Sequence, residues 1–185
     1  MIDKTTALEQ ANLCDTSDLP TWFLKGHGAE SWLASRVTNI PSSIYDTTLV
    51  DGGTRLIRTG SDEFLIEFTS GVQHSLHQEL LTDEDLPNDF LAFEREDAIF
   101  CLTGASARMV LAQTCGISWD DVKSDTLVMT RVAGVSCAIR PTSIGNLAGY
   151  VIRVDPTYAV YLWEQLLIIC EALGGGVVER SVVLP

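Results

Sequence analysis

Apolar and polar positions along this chain follow two periods in turn, and the order in which they do so recurs. "TWFLK" (21–25) is a short apolar run closed by Gly26 and predicts a strand. "AESWLASRV" then sets Ala29, Trp32, Leu33 and Val37 on one stripe, the 3.6-residue period of a helix. "SSIYDTTLV" predicts a further strand and "DGG" at 51–53 a turn. "TRLIRT" and "EFLIEF" flank "GSD" and predict a hairpin. "SGVQHSLHQELL" opens a helix at Ser70, a good N-cap, and stacks Val72, Leu76 and Leu80. Residues 82–97 are acidic, contain Pro87, and read as a connector.

After the connector the pattern restarts. "AIFCLTG" reads as a strand and "ASARMVLAQTC" as a helix closed by Gly116 at its C-cap. "DTLVMTRVAG", "VSCAIRPTS" and "GYVIRV" read as strands. "PTYAVYLWEQLLIICEAL" reads as a helix with Pro156 near its first turn, stopped by the glycines at 174–176. Residues 1–20 read as a polar lead with an acidic stretch around "DTSDLP".

The restart is residue-specific. Gly26 and Gly104 stand 78 positions apart, and Leu24/Leu102, Ala29/Ala107, Leu33/Leu111 and Ala34/Ala112 keep that offset. "GGTRLIR" matches "GVSCAIR", with Arg58 and Arg140 at an offset of 82, so the second half carries a small insertion. The expectation is an α+β fold in one compact domain, 1–185, duplicated internally. Its halves run strand, helix, strands, helix over 20–81 and 98–173, joined by the connector 82–97. Each half has a sheet face to cover with helices.

Composition narrows the function classes. The chain has 185 residues, is 46% hydrophobic and can bury a core, which argues against disorder. Its net charge of −13 repels DNA and anionic lipid, and no basic cluster offsets it, so neither nucleic acid nor a membrane surface is an expected partner. Five scattered cysteines without a CxxC fit free thiols in a reducing cytoplasm better than a disulfide framework or a zinc site. The first residues, "MIDKTTALEQAN", lack the apolar core of a signal peptide. No apolar run approaches a membrane span.

"LCDTSDLPTWFLKGHGAESWLAS" resembles the opening of the glycine-cleavage aminomethyltransferase (T-protein) superfamily, in which an Asp-x-Ser stretch precedes a strand, a glycine and a helix. Asp15 and Ser17 fill the first part; Gly26, Ala29 and Leu33 fill the second. "CLTGASARMVLAQTCGISW" looks like the corresponding segment of the gamma subunits of heterotetrameric sarcosine oxidases. "YVIRVDPTYAVYLWEQLLIICEALGG", with Trp163, is similar to their C-terminal end. The resemblance covers roughly residues 10–175, rests on order and spacing, and suits the chain's length. It implies a folate-binding, aminomethyltransferase-like fold. It also implies an accessory subunit, not catalytic alone, in a complex that oxidatively demethylates sarcosine. In that case FAD, FMN, NAD and tetrahydrofolate sit in larger flavoprotein subunits and no cofactor in this chain. The related small subunit of N-methylglutamate dehydrogenase is an alternative. So are a standalone tetrahydrofolate-dependent aminomethyltransferase-like protein and an orphan ligand-binding module. The Lys-Gly-Cys-x-x-Gly-Gln motif of the tRNA-modifying branch is missing, and no folate-holding acid maps onto the chain.

Other chemistry-bearing patterns are weak. "LKGHGAES" comes nearest to a dinucleotide turn, but its third glycine position holds Ser31, so tight-turn geometry explains Gly26 and Gly28 better. His74 and His77, with Glu79 nearby, have helical spacing but no cysteine partner. "DEDLPNDFLAFE" (83–94) has acids at some positions of a calcium loop, but Asn88 stands where its glycine belongs. No cysteine has a neighbouring histidine, and Ser17 and Ser143 lack a nucleophile elbow. Arg58 and Arg140 could grip carboxylates or form ordinary salt bridges. No catalytic, cofactor-binding or metal-binding residue is assigned.

One surface is singled out instead. In the last helix Ala159, Leu162, Trp163, Leu166, Ile169, Cys170 and Leu173 form an apolar stripe. Tyr158, Val160, Tyr161, Leu167 and Ile168 make a second apolar face. Either the chain's own strands and its "VVERSVVLP" tail cover that face, or a partner subunit does. Tyr158, Tyr161, Leu167 and Ile168 are the candidate interface.

Overall fold

The computed structural model describes residues 9–50, 53–69, 75–82, 86, 88–144 and 146–183. In chain order these form β1 (Asn12–Asp15), β2 (Thr21–Gly26), α1 (Gly28–Ala34), β3 (Thr47–Leu49), β4 (Arg55–Gly60), β5 (Glu63–Glu67), α2 (Ser75–Thr82) and β6 (Phe90–Glu94). There follow β7 (Ala98–Thr103), α3 (Ala107–Thr114), β8 (Val128–Val132), β9 (Val135–Ile144), β10 (Leu147–Val154), a 3₁₀ turn (Pro156–Tyr158), α4 (Ala159–Ala172), β11 (Gly176–Val177) and α5 (Arg180–Val183). The fold is mixed α and β. It divides into two compact units, Leu19–Glu96 and Met1–Asp18 with Asp97–Pro185.

In the unit Leu19–Glu96 the sheet order is β3-β4-β5-β2-β6, antiparallel throughout. α1 and α2 cover one face. Ala29, Trp32 and Leu33 of α1 and Leu76 and Leu80 of α2 join Leu24, Leu56, Phe64 and Ile66 in a single core. These are the residues that the helical stripes and apolar runs select. The start of the second helix, with Ser70, Val72 and His74, lies outside the described residues, as does most of the "DGG" turn.

The other unit has the order β8-β9-β10-β7-β1-β11. β7 is central and buried along its whole length. Ala98, Phe100 and Leu102 face α3 and α4 in a core with Val110, Leu111, Leu162, Leu166 and Cys170. Cys101 points to the other face, where it meets Cys14, Val178 and Val183. A strand buried on both faces reads as a continuous apolar run, which is why "AIFCLTG" is legible. Asp155 caps the 3₁₀ turn that leads into α4, accepting from the backbone N–H and hydroxyl of Thr157 at 2.9 and 2.6 Å. Pro156 stands in that turn.

The two sheets share an order. In each, a three-stranded meander is followed in space by the strand that precedes it in sequence (β2 or β7), then by a further strand antiparallel to that one. These further strands pair out of sequence order. β1 precedes β2 yet pairs with β7, and β6 precedes β7 yet pairs with β2. Asn12 and Phe90, which begin β1 and β6, stand 78 positions apart, the offset of Gly26 and Gly104.

Three details depart from the sequence reading. Residues 12–15 form an interior strand, with Asn12, Leu13 and Cys14 buried, because β7 and β11 pair with it on either side. The stretch 82–97 contains β6. Gly116 is not a left-handed C-cap: it is absent from the glycines with positive φ, and Cys115 before it is extended (φ −131°). Cys115 leaves α3 to make a bridge with Val132, so the helix ends by joining sheet pairing rather than by reversing direction.

Candidate partner-binding face and surrounding residues

The geometry of α4 follows from one buried seam. Leu162, Leu166 and Cys170, at i, i+4 and i+8, have no exposed surface. Ala159, Trp163, Leu167, Ile169 and Leu173 flank the seam, half-buried against the same core. Trp163 meets Phe100 edge-on at 5.2 Å. The opposite side carries Tyr158 (52% exposed), Val160 (72%), Tyr161 (46%) and Ile168 (60%). Glu164 and Glu171 are exposed beside them. Leu167 therefore stands apart from Tyr158, Tyr161 and Ile168. α4 packs on α3 as well as on the sheet, so its buried stripe is wide enough to reach Leu167.

The C-terminal tail goes elsewhere. β11 pairs with β1, and Val178 and Val183 pack with Cys14 and Cys101, on the sheet face opposite α4. Gly175 passes so close to the backbone of Ala11 that a Cβ there would collide with its carbonyl. Among the described residues, one contact fixes the exposed side of α4: the Tyr161 hydroxyl donates to the Ala133 carbonyl at 3.0 Å.

The remaining sequence candidates serve the fold. Gly26 (φ +129°) and Gly28 both lie under β6: a Cβ on Gly26 would sit 2.5 Å from the Asp89 carbonyl oxygen, and one on Gly28 would collide with the Asp89 carboxylate. The chain's own carboxylate thus stands where an anion would meet the start of α1. Arg58 donates to both carboxylate oxygens of Glu30 (3.2 and 2.6 Å), to the carbonyls of Pro41 and Ser61, and lies over Phe64. Arg140 is buried on β9, and its guanidinium donates to the Pro141 carbonyl at 3.5 Å. Sequence reasoning missed the buried pair Arg153–Asp97, 2.9 Å apart. Alternation along "GYVIRV" would have placed Arg153 opposite the core-facing residues.

Asp15 and Ser17, which carry the family resemblance, form a clasp. Asp15 Oδ1 accepts from the Ser17 N–H at 2.9 Å and its hydroxyl at 2.6 Å, and Ser17 Oγ accepts the Ile99 N–H at 2.9 Å. His77 stacks on Phe68 at 4.7 Å. Among the described residues no group of histidine, cysteine and acidic side chains could hold a metal ion; His74 and Asp83–Asp85 lie outside them. All five cysteines are buried and free. Burial pushes the thiols of Cys14, Cys137 and Cys170 up to about 11 and that of Cys101 up to about 12, the reverse of an activated nucleophile. No described helix is long and apolar enough to cross a membrane.

No protein-family model and no curated protein matches the chain by sequence. Solved structures do match it. The glycine cleavage system aminomethyltransferase T from Bartonella henselae superposes with a TM-score of 0.75 at 17% identity, over 95% of this chain and 49% of the other. The chain thus spans about half the length of that enzyme. The heterotetrameric sarcosine oxidase from Corynebacterium sp. U-96, in complex with pyrrole 2-carboxylate, gives a TM-score of 0.69 at 15% identity, over 91% of this chain and 87% of the matched one. At these identities the likeness establishes the architecture: the chain has the aminomethyltransferase-like fold common to those two structures.

Proposed function

We propose that this chain is a non-catalytic, gamma-type subunit of a cytoplasmic, sarcosine-oxidase-like complex that oxidatively demethylates sarcosine to glycine. Its larger flavoprotein partners carry the FAD, FMN, NAD and tetrahydrofolate. The observation that carries the reading is the two-way correspondence with a chain of a heterotetrameric sarcosine oxidase, 91% of one and 87% of the other. It is supported by the side of α4 bearing Tyr158, Tyr161 and Ile168, an apolar surface of the kind that marks subunit contacts. We read the repeated sheet order and the recurring 78-residue offset as the product of an internal duplication.

The test is co-expression with candidate flavoprotein subunits. Co-purification is expected, and Tyr161→Glu with Ile168→Glu should abolish it while leaving the chain's circular dichroism unchanged. Sarcosine-dependent peroxide production by the isolated chain would overturn the accessory role. The likeness to the glycine-cleavage aminomethyltransferase favours a second reading, a standalone tetrahydrofolate-dependent protein. Titration calorimetry with tetrahydrofolate separates the two: the subunit reading expects no saturable heat, and a one-to-one isotherm favours the second.

A further inference from the structure

We propose that β6 is a self-pairing edge, through which two copies of this chain join their five-stranded sheets by antiparallel β6–β6 addition centred on Ala92. This inference concerns the unit Leu19–Glu96 and rests on nothing said of α4.

β6 ends its sheet, with β2 on one side and no described strand on the other. Its pairing with β2 sets Phe23 opposite Phe93 and Lys25 opposite Leu91. The Arg95 N–H donates to the Thr21 carbonyl at 2.7 Å, which fixes the phase of the ladder. Hydrogen-bonded pairs alternate along an antiparallel ladder, so Leu91, Phe93 and Arg95 direct their N–H and C=O groups at β2. Phe90, Ala92 and Glu94 direct theirs outward. The usual protections of an edge are missing: from Phe90 to Glu94 there is no lysine or proline, and Glu94 is the one charge. Instead Leu91 and Phe93 are 67% and 44% exposed on the same sheet face.

An antiparallel copy fits this edge in the register that sets Ala92 on the two-fold axis. The outward groups of Phe90, Ala92 and Glu94 then meet those of Glu94, Ala92 and Phe90 of the second copy, giving about six backbone hydrogen bonds. Leu91 falls opposite Phe93 of the second copy in the close, non-hydrogen-bonded position, where apolar cross-strand pairs contribute most. A one-residue slip would place outward-facing groups against inward-facing ones. The segment is thus self-complementary in backbone and apolar side chains, as an isologous contact requires.

The test uses sedimentation of the full chain. Its weight-average mass should rise toward that of two chains as concentration increases from micromolar to hundreds of micromolar. Leu91→Glu and Phe93→Lys should each be monomeric over that range with unchanged circular dichroism. An equimolar mixture of the two variants should recover dimer, because this register sets the new acid opposite the new base. Should Phe93→Lys unfold, Leu91→Glu carries the test alone. A wild-type chain that stays monomeric overturns the proposal, whether or not some other polypeptide binds along β6. So does a dimer that Leu91→Glu leaves intact, or a mixture of two folded variants that stays monomeric.

Discussion

The Tyr161 hydroxyl on α4 donates to the backbone carbonyl of Ala133 at 3.0 Å, tying the helix to the turn between β8 and β9. That turn is strained in a specific way. Val132 pairs with Val135, and the two residues between them have positive φ, +48° at Ala133 and +85° at Gly134. This is the turn that suits the twist of a tight hairpin, and it favours Asn-Gly. An alanine there holds a conformation that costs an L-residue on the order of 1–2 kcal/mol. Ala133→Asn should therefore stabilise the chain by about 0.5–1 kcal/mol, read as a higher urea midpoint at constant slope. Tyr161→Phe should cost about 0.5–1.5 kcal/mol, the worth of one hydrogen bond.

The side of α4 turned from the core separates two neighbouring residues. Ile168 is exposed, whereas Leu167 packs against the core with Trp163 and Leu173. Ile168→Glu should leave the melting temperature within a degree or two, as surface substitutions usually fall within about 0.5 kcal/mol. Leu167→Glu puts a carboxylate against apolar neighbours and should cost on the order of 2 kcal/mol or more. Paired melts check this: equal effects would mean that the two share one environment. Within the subunit reading, Ile168→Glu is accordingly the clean probe of assembly and Leu167→Glu is not.

How far the sequence revealed this depends on where each element finds its partners. α1, α3 and α4 and the strands β2, β4, β5, β7, β9 and β10 announce themselves through local period, because each carries its own apolar stripe or run. β1 and β6 do not. Leu13 and Cys14 are buried because β7 and β11 lie on either side, over eighty residues away, and "NLCD" has no local signature for that. β6 reads as an acidic connector because Leu91 and Phe93 face outward and Glu94 to Asp97 dominate its composition. The apolar surplus on α4 was legible, but a helix packed on both a sheet and another helix has a wide stripe, and only its neighbours decide that Leu167 falls inside it.

The buried thiols give the chain an alkaline limit. Folding raises Cys14, Cys137 and Cys170 from about 9 to about 11 and Cys101 to about 12, chiefly through burial. The folded state therefore holds these protons more tightly than the unfolded chain. Their contribution is fully present below pH about 9 and is lost as pH rises through 11 to 12. Urea midpoints measured at stepped pH should be flat with respect to these groups up to about 9 and fall above it. Cys101→Ala should make that fall shallower even though the variant starts out less stable. An unchanged slope would remove Cys101 as a contributor.

Asp97 and Arg153 form an ion pair in which both side chains are buried, at 7% and 8% exposure and 2.9 Å separation. Bringing two charges out of water costs several kcal/mol each, and their attraction offsets this only while both are present. Removing one partner should therefore hurt more than removing both. Asp97→Ala leaves a buried guanidinium without its carboxylate and should cost about 3–5 kcal/mol. The double change Asp97→Leu with Arg153→Met keeps apolar bulk without any charge and should cost less than Asp97→Ala alone. Arg153 lies opposite Ala138 on β9 and Ile99 on β7, so an unbranched methionine has room to lie along its neighbours. Denaturant melts of the three chains decide the matter. If the double variant is the least stable, the pair's attraction exceeds its desolvation cost, and Asp97–Arg153 is a net source of stability rather than a charge held in place by its partner.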